Sequence, residues 1–316
     1  MDTLLQAALD AKLFYGAEVL LAQGANVQLH RTYGTYDGTR PLEKTAVFDV
    51  ASLTKPVATA SLLLTLGLNL DSLVSAYLPG FTGGNKEAVT LRHLAAHLSG
   101  LPPTVRFIET CTTPNETFEA LLKVPLQSPP GSTVTYSCLG YMLLGKVLEA
   151  HTGQSLQSLF ANHIATPAGM ANSGFLPKTT LARLVPSGMR PHNGGQLGVV
   201  NDSNAWLMGG ASGNAGLFST APDLHRFAQW ILRTPMPEMF ANQSPTGAVA
   251  RTIGFELHTS AVSHTGFTGT SLWINPKTAR IAILLSNRTA ISHRGSLEAM
   301  KTFRQQFYSA LARNQP

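Results

Sequence analysis

Ser52 and Lys55 stand three positions apart in Val50-Ala51-Ser52-Leu53-Thr54-Lys55-Pro56. That spacing puts a hydroxyl and an amine on one face of a helical turn, close enough for the amine to take the hydroxyl's proton. A nucleophile beside a base is the minimum for covalent acyl transfer. The flanks favour such a turn. Val47-Phe48-Asp49-Val50 reads as the end of a strand, and Ala58 to Leu64 reads as a buried helix free of Gly and Pro. Ser52 is then expected at a helix N-terminus, where unpaired N–H groups and the dipole favour developing negative charge. Pro56 falls in the first turn, where a missing N–H costs least. The same residues also fit a plain helix cap followed by an exposed lysine.

Two further stretches carry chemistry-bearing residues. Pro129-Pro130-Gly131 turns the chain into a short extended piece that leads through Tyr136-Ser137-Cys138 to a helix over Tyr141 to Ala150, closed by Gly153. Tyr136 therefore sits on a loop at a helix entrance, a common place for a catalytic side chain and equally for a buried aromatic. His264-Thr265-Gly266-Phe267-Thr268-Gly269 lies at a strand edge, where glycines let a ligand approach the backbone. His93 and His97 have a spacing that metals use, but no third ligand accompanies them, so they read as structural histidines. No metal and no cofactor is expected.

The rest of the chain must position these groups. Its 316 residues can bury a large core, and 44% hydrophobic against 13% charged residues excludes a disordered or fibrous chain. The longest apolar run, Leu62 to Leu68, is too short to span a bilayer. Met1-Asp2-Thr3-Leu4-Leu5 shows no export signal, so a cytoplasmic location is expected, or a periplasmic or extracellular one if a leader has been removed. Two cysteines, Cys111 and Cys138, make no disulfide framework. The net charge of +6 comes from the segment after Ser271, with Lys277, Arg280, Arg288, Arg294, Lys301, Arg304 and Arg313 against Glu298 alone. These are spread over a strand, a turn and a helix, which fits a solvated surface and argues against nucleic acid as a partner. Oligomeric state is not legible.

Helical spacing covers Asp2 to Phe14, and Ala17–Gln23 and Val27–Tyr33 read as a hairpin across Gly24-Ala25. Thr90 is expected to cap a helix over Leu91 to Leu98, and Asn115 one over Glu116 to Lys123. Residues 177–216 read as long loops, and Thr220-Ala221-Pro222-Asp223 as a capping box opening a helix to Leu232. Strands follow over Thr252–His258, Ala261–Thr265, Thr268–Ile274 and Arg280–Ser286. A closing helix runs from about Ser296 to Leu311, with Leu297, Met300, Phe303, Phe307 and Leu311 on one stripe.

Taken together, Ser52-x-x-Lys55, Tyr136-Ser137-Cys138 and His264-Thr265-Gly266 resemble, in order, the three motifs of the serine β-lactamase and penicillin-binding protein superfamily. The nearest form is the branch of class C β-lactamases, D-alanyl-D-alanine carboxypeptidases, D-aminopeptidases and related esterases. Thr90 to Leu94, Ser99 to Pro102, Asn204 to Trp206 and Ala215 to Thr220 add to the likeness, which spans roughly residues 17–290.

The resemblance implies an α+β architecture: an antiparallel sheet flanked by the first and last helices, with an inserted, mostly helical lobe. Residues 1–55 and 201–316 would form the sheet-bearing lobe and 56–200 the helical one, with the site in the groove between. It implies a serine hydrolase working through an acyl-enzyme, with Ser52, Lys55 and Tyr136 catalytic. The Ser52 and Phe267 N–H groups would form the oxyanion hole, and Cys138, His264, Thr265 and Gly266 would contact substrate. For Lys55 to act as base near neutrality its pKa must fall by roughly three units, about 4 kcal/mol. A lowered Tyr136 would need positive charge from Lys55 and His264. Two positions depart from the family pattern: Cys138 replaces the usual Asn, and His264 the lysine common in β-lactamases. Both weaken β-lactam contacts while leaving hydrolysis intact, so the expected substrates are small esters, amides or peptides. A β-lactamase, a D-Ala-D-Ala carboxypeptidase and a non-turnover acyl-binding sensor or assembly protein are the alternatives.

Overall fold

The computed structural model describes residues 1–291 and 296–313. Its main sheet forms because two distant parts of the chain supply strands that alternate between two cores. β1 (Gly16–Gln23) and β2 (Asn26–Gly34) make the expected hairpin. From the other end come β6 (Glu256–Leu257), β7 (Val262–Thr265), β8 (Ser271–Asn275) and β9 (Arg280–Ser286), and β9 pairs antiparallel with β1. The six-stranded order is β2-β1-β9-β8-β7-β6. Between them in sequence, β3 (Phe48–Asp49), β4 (Gly174–Phe175) and β5 (Leu217–Ser219) form a small separate sheet in the order β3-β5-β4.

Period-two alternation sends Ala17 and Val19 of β1 to one face and Leu20 and Ala22 to the other. The first face is covered by the terminal helices Asp2–Asp10 and Leu297–Arg313, through Leu5, Ala8, Met300, Phe303 and Phe307. Leu297, expected on that stripe, is exposed, and the side chain of Leu311 lies outside the described residues. The second face joins one large core that takes residues from the sheet, from helix Ala221–Arg233 and from the helices between β3 and β4, including Cys138–Thr152. Among the described residues no helix is long and apolar enough to cross a membrane.

Local chemistry moves several boundaries. The segment after Ser52 is not a plain α-helix. Ala51–Leu53 is a 3₁₀ turn, Lys55–Ala60 is π-helical, and only Ser61–Thr65 is α. Pro56 brings no N–H, and its carbonyl accepts the Ser61 hydroxyl at 2.7 Å. Such widened turns are found often at functional sites. Helix Leu91–Ala95 stops early, and His97 takes a left-handed φ of 63°, so it does not share a helical face with His93. Helix Pro114–Lys123 is capped by Thr113, not Asn115, through a reciprocal pair with Glu116. Helix Cys138–Thr152 begins three residues sooner than expected because the Ser137 hydroxyl caps it. Thr220 caps its helix, yet the Asp223 carboxylate turns away to Asn172 and Ser173. Residues 252–255 curl into a turn (Thr252 N–H to the Phe255 carbonyl, 2.9 Å), which shortens the expected strand to β6. Thr268 is likewise in a turn, closed by the Gly266 N–H on the Thr270 carbonyl at 2.8 Å.

Candidate active site

Ser52 lies in the middle of its 3₁₀ turn, directly after β3. Its neighbours are tied down: the Ala51 N–H donates to Asp49 Oδ1 at 2.9 Å and the Leu53 N–H to the Val50 carbonyl at 3.1 Å. Ala51 holds a φ of 49°, a conformation costly for a residue with a side chain and retained only where the surroundings impose it. Lys55 is fully buried, not exposed. Its Nζ donates to Ser52 Oγ at 3.0 Å and to the Asn214 carbonyl at 3.0 Å. The lysine is therefore aimed at the hydroxyl from two fixed points, and the reading of a mere cap with a solvated lysine fails.

Tyr136 reaches the pair from the helix entrance. Its ring lies 5.1 Å from Lys55 Nζ, and its phenol is close enough to Lys55 and Ser52 to interact with both. His97 backs it, with ring centres 4.6 Å apart, while His97 Nδ1 accepts the Ser137 N–H at 3.1 Å and its carbonyl accepts the Thr135 N–H at 2.9 Å. The left-handed turn at His97 thus serves to brace the tyrosine loop from both sides. Cys138 opens the helix next to Tyr136 and lies near both Lys55 and Tyr136.

The third motif closes the site on the opposite wall. Gly266 has no room for a side chain: a Cβ would stand 2.0 Å from Thr270 Oγ1 and 2.6 Å from the Val50 carbonyl. The turn that follows is gripped by two arginines from the basic C-terminal segment. Arg288, 1% exposed, donates to the Phe267 carbonyl through Nε (3.1 Å) and Nη2 (2.8 Å). Arg304 Nη2 donates to the carbonyls of Gly266 (2.7 Å) and Thr270 (2.9 Å). Those two residues hold this turn, which corrects, at these positions, the expectation of a solvated surface. His264 is buried, with Nδ1 against the Thr265 carbonyl at 2.9 Å and Nε2 without a partner. Thr265 ends β7 with an exposed side chain.

Burial and charge set the protonation states, and they differ from expectation. Burial pulls Lys55 down, but Cys138 and Tyr136 outweigh it and hold the ammonium above its ordinary range. Burial pushes Tyr136 up, against the pull of Lys55. The resting pair is an ammonium beside a neutral phenol. His264 is driven well below its ordinary value by burial, then by Lys55 and Arg251, and His97 by burial, then by Arg251 and Lys55. Both imidazoles are neutral at pH 7, so His264 supplies no charge to Tyr136.

A cavity of ≈ 610 Å³ opens beside Ser52, with Ser52, Phe267, Ile108, Arg190, His192 and Asp202 among its walls. Lys55, Tyr136, Cys138, His264, Thr265 and Gly266 are not part of that lining. Sequence reasoning missed Asn214, whose carbonyl steers Lys55, and Arg251, whose guanidinium lies 5.7 Å from the Tyr136 ring centre with Nε buried and unpartnered. Among the described residues no cluster of three potential metal ligands occurs.

This fold and these ordered motifs define a serine hydrolase of the β-lactamase type. The chain belongs to the β-lactamase family, whose sequence model matches residues 1–303. A protein of Escherichia coli O157:H7 named "Putative D-alanyl-D-alanine carboxypeptidase" is 27% identical, over 91% of this chain and 81% of the relative. Among solved structures, EstCE1, titled a hydrolase with promiscuous acyltransferase activity, superimposes with a TM-score of 0.74 at 21% identity, covering 96% of each chain. A β-lactamase/D-alanine carboxypeptidase of Yersinia pestis gives 0.74 at 19% identity, covering 98% of each. The mixed antiparallel fold expected from the sequence is the fold these structures share.

Proposed function

We propose that the protein hydrolyses small ester or amide substrates through an acyl-enzyme on Ser52. The observation that carries this reading is the 3.0 Å contact between Lys55 Nζ and Ser52 Oγ, buried on the lysine side and opening to the cavity on the other. Ser52 Oγ attacks the substrate carbonyl carbon while its proton passes to the base form of the Lys55–Tyr136 pair. The carbonyl oxygen becomes an oxyanion facing the N–H groups of Ser52 and Phe267, each such donor being worth about 3 kcal/mol. The pair returns the proton to the departing oxygen or nitrogen through Tyr136, and the bond to the leaving group breaks. Water then attacks the ester, giving its proton to the pair and, at collapse, to Ser52 Oγ. No cofactor enters these steps.

Arg251 favours a second reading, hydrolysis of a peptide with a free C-terminal carboxylate. Its guanidinium lies 5.7 Å from the ring centre of Tyr136, the proposed proton donor to the leaving group, and charge-assisted pairing of a carboxylate there would be strong. The carboxypeptidase name of the E. coli relative supports the same reading. A fluorophosphonate probe tests the core claim: labelling once, at Ser52, and none in Ser52→Ala. Intact mass after a reactive acyl ester separates turnover from sensing, since a hydrolase returns to free protein and a sensor retains the acyl group.

A further inference from the structure

Behind the site lies a charge that the chemistry above does not use. Asp49, 3% exposed, ends a strand of only two residues. Its Oδ1 accepts the Ala51 N–H at 2.9 Å and its Oδ2 the Asn201 N–H at 2.8 Å. Its own carbonyl accepts the Thr268 hydroxyl at 2.8 Å, and the next carbonyl, of Val50, accepts that of Thr270 at 3.0 Å. One residue thus bonds the turn that holds Ser52, the turn that holds Phe267, and the loop that brings Asn201 and Asp202 to the cavity. The first of these bonds falls on Ala51, the residue in left-handed backbone.

We propose that Asp49 is the positioning residue of the oxyanion hole, its carboxylate setting the Ser52 N–H and its carbonyl setting the Phe267 N–H. The inference rests on the proposed role of Ser52. An ordinary structural cap would not need a charge here. Burial, then the nearby Asp202, pushes Asp49 up to about 6 against the pull of the two N–H groups, so it is ionised at pH 7 at a cost to the fold. Around it, Arg190 donates to the Asn201 side-chain oxygen at 3.3 Å, Arg288 to the Phe267 carbonyl, and Lys55 to Ser52 and Asn214. A carboxylate accepts from two separate N–H groups at once, whereas an amide offers one acceptor and turns its NH₂ toward the other. Keeping a costly buried charge beside a strained turn is what positioning for catalysis would require.

Asp49→Asn should lower kcat for a nitrophenyl ester by about a hundredfold, the scale of a misplacement near 1 Å, with KM changed less than about threefold. It should remain folded at pH 8 without urea, as read by circular dichroism. In the wild type, the fall of kcat with falling pH should steepen by one proton below about pH 6 while circular dichroism stays native. Asp49→Asn should lack that break. His192, also on the cavity and lowered mainly by burial, is the competing titrant, so His192→Gln should keep the break. The wild-type profile needs no substitution and tests the point should Asp49→Asn fold poorly. Unchanged kcat in Asp49→Asn, a loss matching the fraction unfolded, or a break that follows His192 would overturn the inference alone. Absence of any Ser52-dependent turnover in the wild type would overturn it together with the reading beneath it.

Discussion

The Arg251 guanidinium stands 5.7 Å from the centre of the Tyr136 ring, and its Nη2 pairs with Glu256 at 3.4 Å. A cation at that place gives a substrate carboxylate a partner just beyond the proposed proton donor. Arg251→Gln should raise KM for an acylated D-alanyl dipeptide by about tenfold to a hundredfold, the scale of one charge-assisted hydrogen bond. The same dipeptide with its C-terminus amidated should lose far less. Equal losses on both peptides, measured by steady-state kinetics, would remove the carboxylate from the argument.

The Lys55–Tyr136 pair carries a pH prediction with a definite sign. Both groups are held above their ordinary values, so at neutral pH the base form is the minor species. Raising the pH populates it, and kcat/KM should climb about tenfold per unit through the neutral range, as for loss of one proton. Histidine should add no inflection from this pair of walls, since His97 and His264 are already neutral. Lys55→Ala and Tyr136→Phe should each lower kcat by at least about a hundredfold, the usual scale of acid–base catalysis. A plateau across pH 6 to 8 would instead mean that the pair is already deprotonated, as burial of the lysine by itself would predict.

What the sequence made legible follows from distance along the chain. Ser52 and Lys55 are neighbours in one turn, and the Tyr136 and His264 motifs come in a fixed order, so residue order alone reveals their grouping. The roles of Arg251, Arg288, Arg304, Asn214 and Asp49 are not legible in that way. Lys55 meets the Asn214 carbonyl across 159 residues, and Asp49 accepts from Asn201 across 152. Most of these bonds end on backbone atoms, which carry no residue identity, so no spacing marks them in advance. The same limit explains the lysine's protonation: burial alone is foreseeable, but the opposing influence of Cys138 and Tyr136 needs their positions in space. The strands and terminal helices are legible because alternation and helical period act locally. The π-helical stretch after Ser52 is not, since the Ser61 hydroxyl bond to the Pro56 carbonyl that accompanies it leaves no mark in residue spacing.

Gly266 predicts a joint failure of stability and activity. Adding a Cβ drives it against Thr270 Oγ1 and the Val50 carbonyl, and the Arg304 clamp on the Gly266 and Thr270 carbonyls limits relief. Gly266→Ala should cost about 1–3 kcal/mol, the range for overpacking a rigid site. Fluorophosphonate labelling should slow more than the folded fraction falls, because the displaced turn carries Phe267. Native labelling rates at a lowered melting temperature would show that the turn can shift without disturbing the proposed oxyanion site.

The last prediction concerns which acyl compounds are turned over. Cys138 stands next to Tyr136 where the family pattern has an amide, and a thiol donates weakly and accepts poorly. His264 is neutral and buried, so it offers a substrate carboxylate none of the attraction of an ammonium. A site without the hydrogen bonds that a substrate needs discriminates against that substrate, while an ester lacking an acylamino group loses nothing. Nitrophenyl esters should therefore be hydrolysed well and a chromogenic cephalosporin poorly, with Ser52→Ala as the blank. Cys138→Asn should raise cephalosporin turnover by about tenfold, one added hydrogen bond realised in the transition state, and leave ester rates within about threefold. If Cys138→Asn gains nothing while His264→Lys does, the preference lies in the missing charge, not in the missing amide. Efficient cephalosporin hydrolysis by the wild type, with negligible esterase activity, would defeat both accounts.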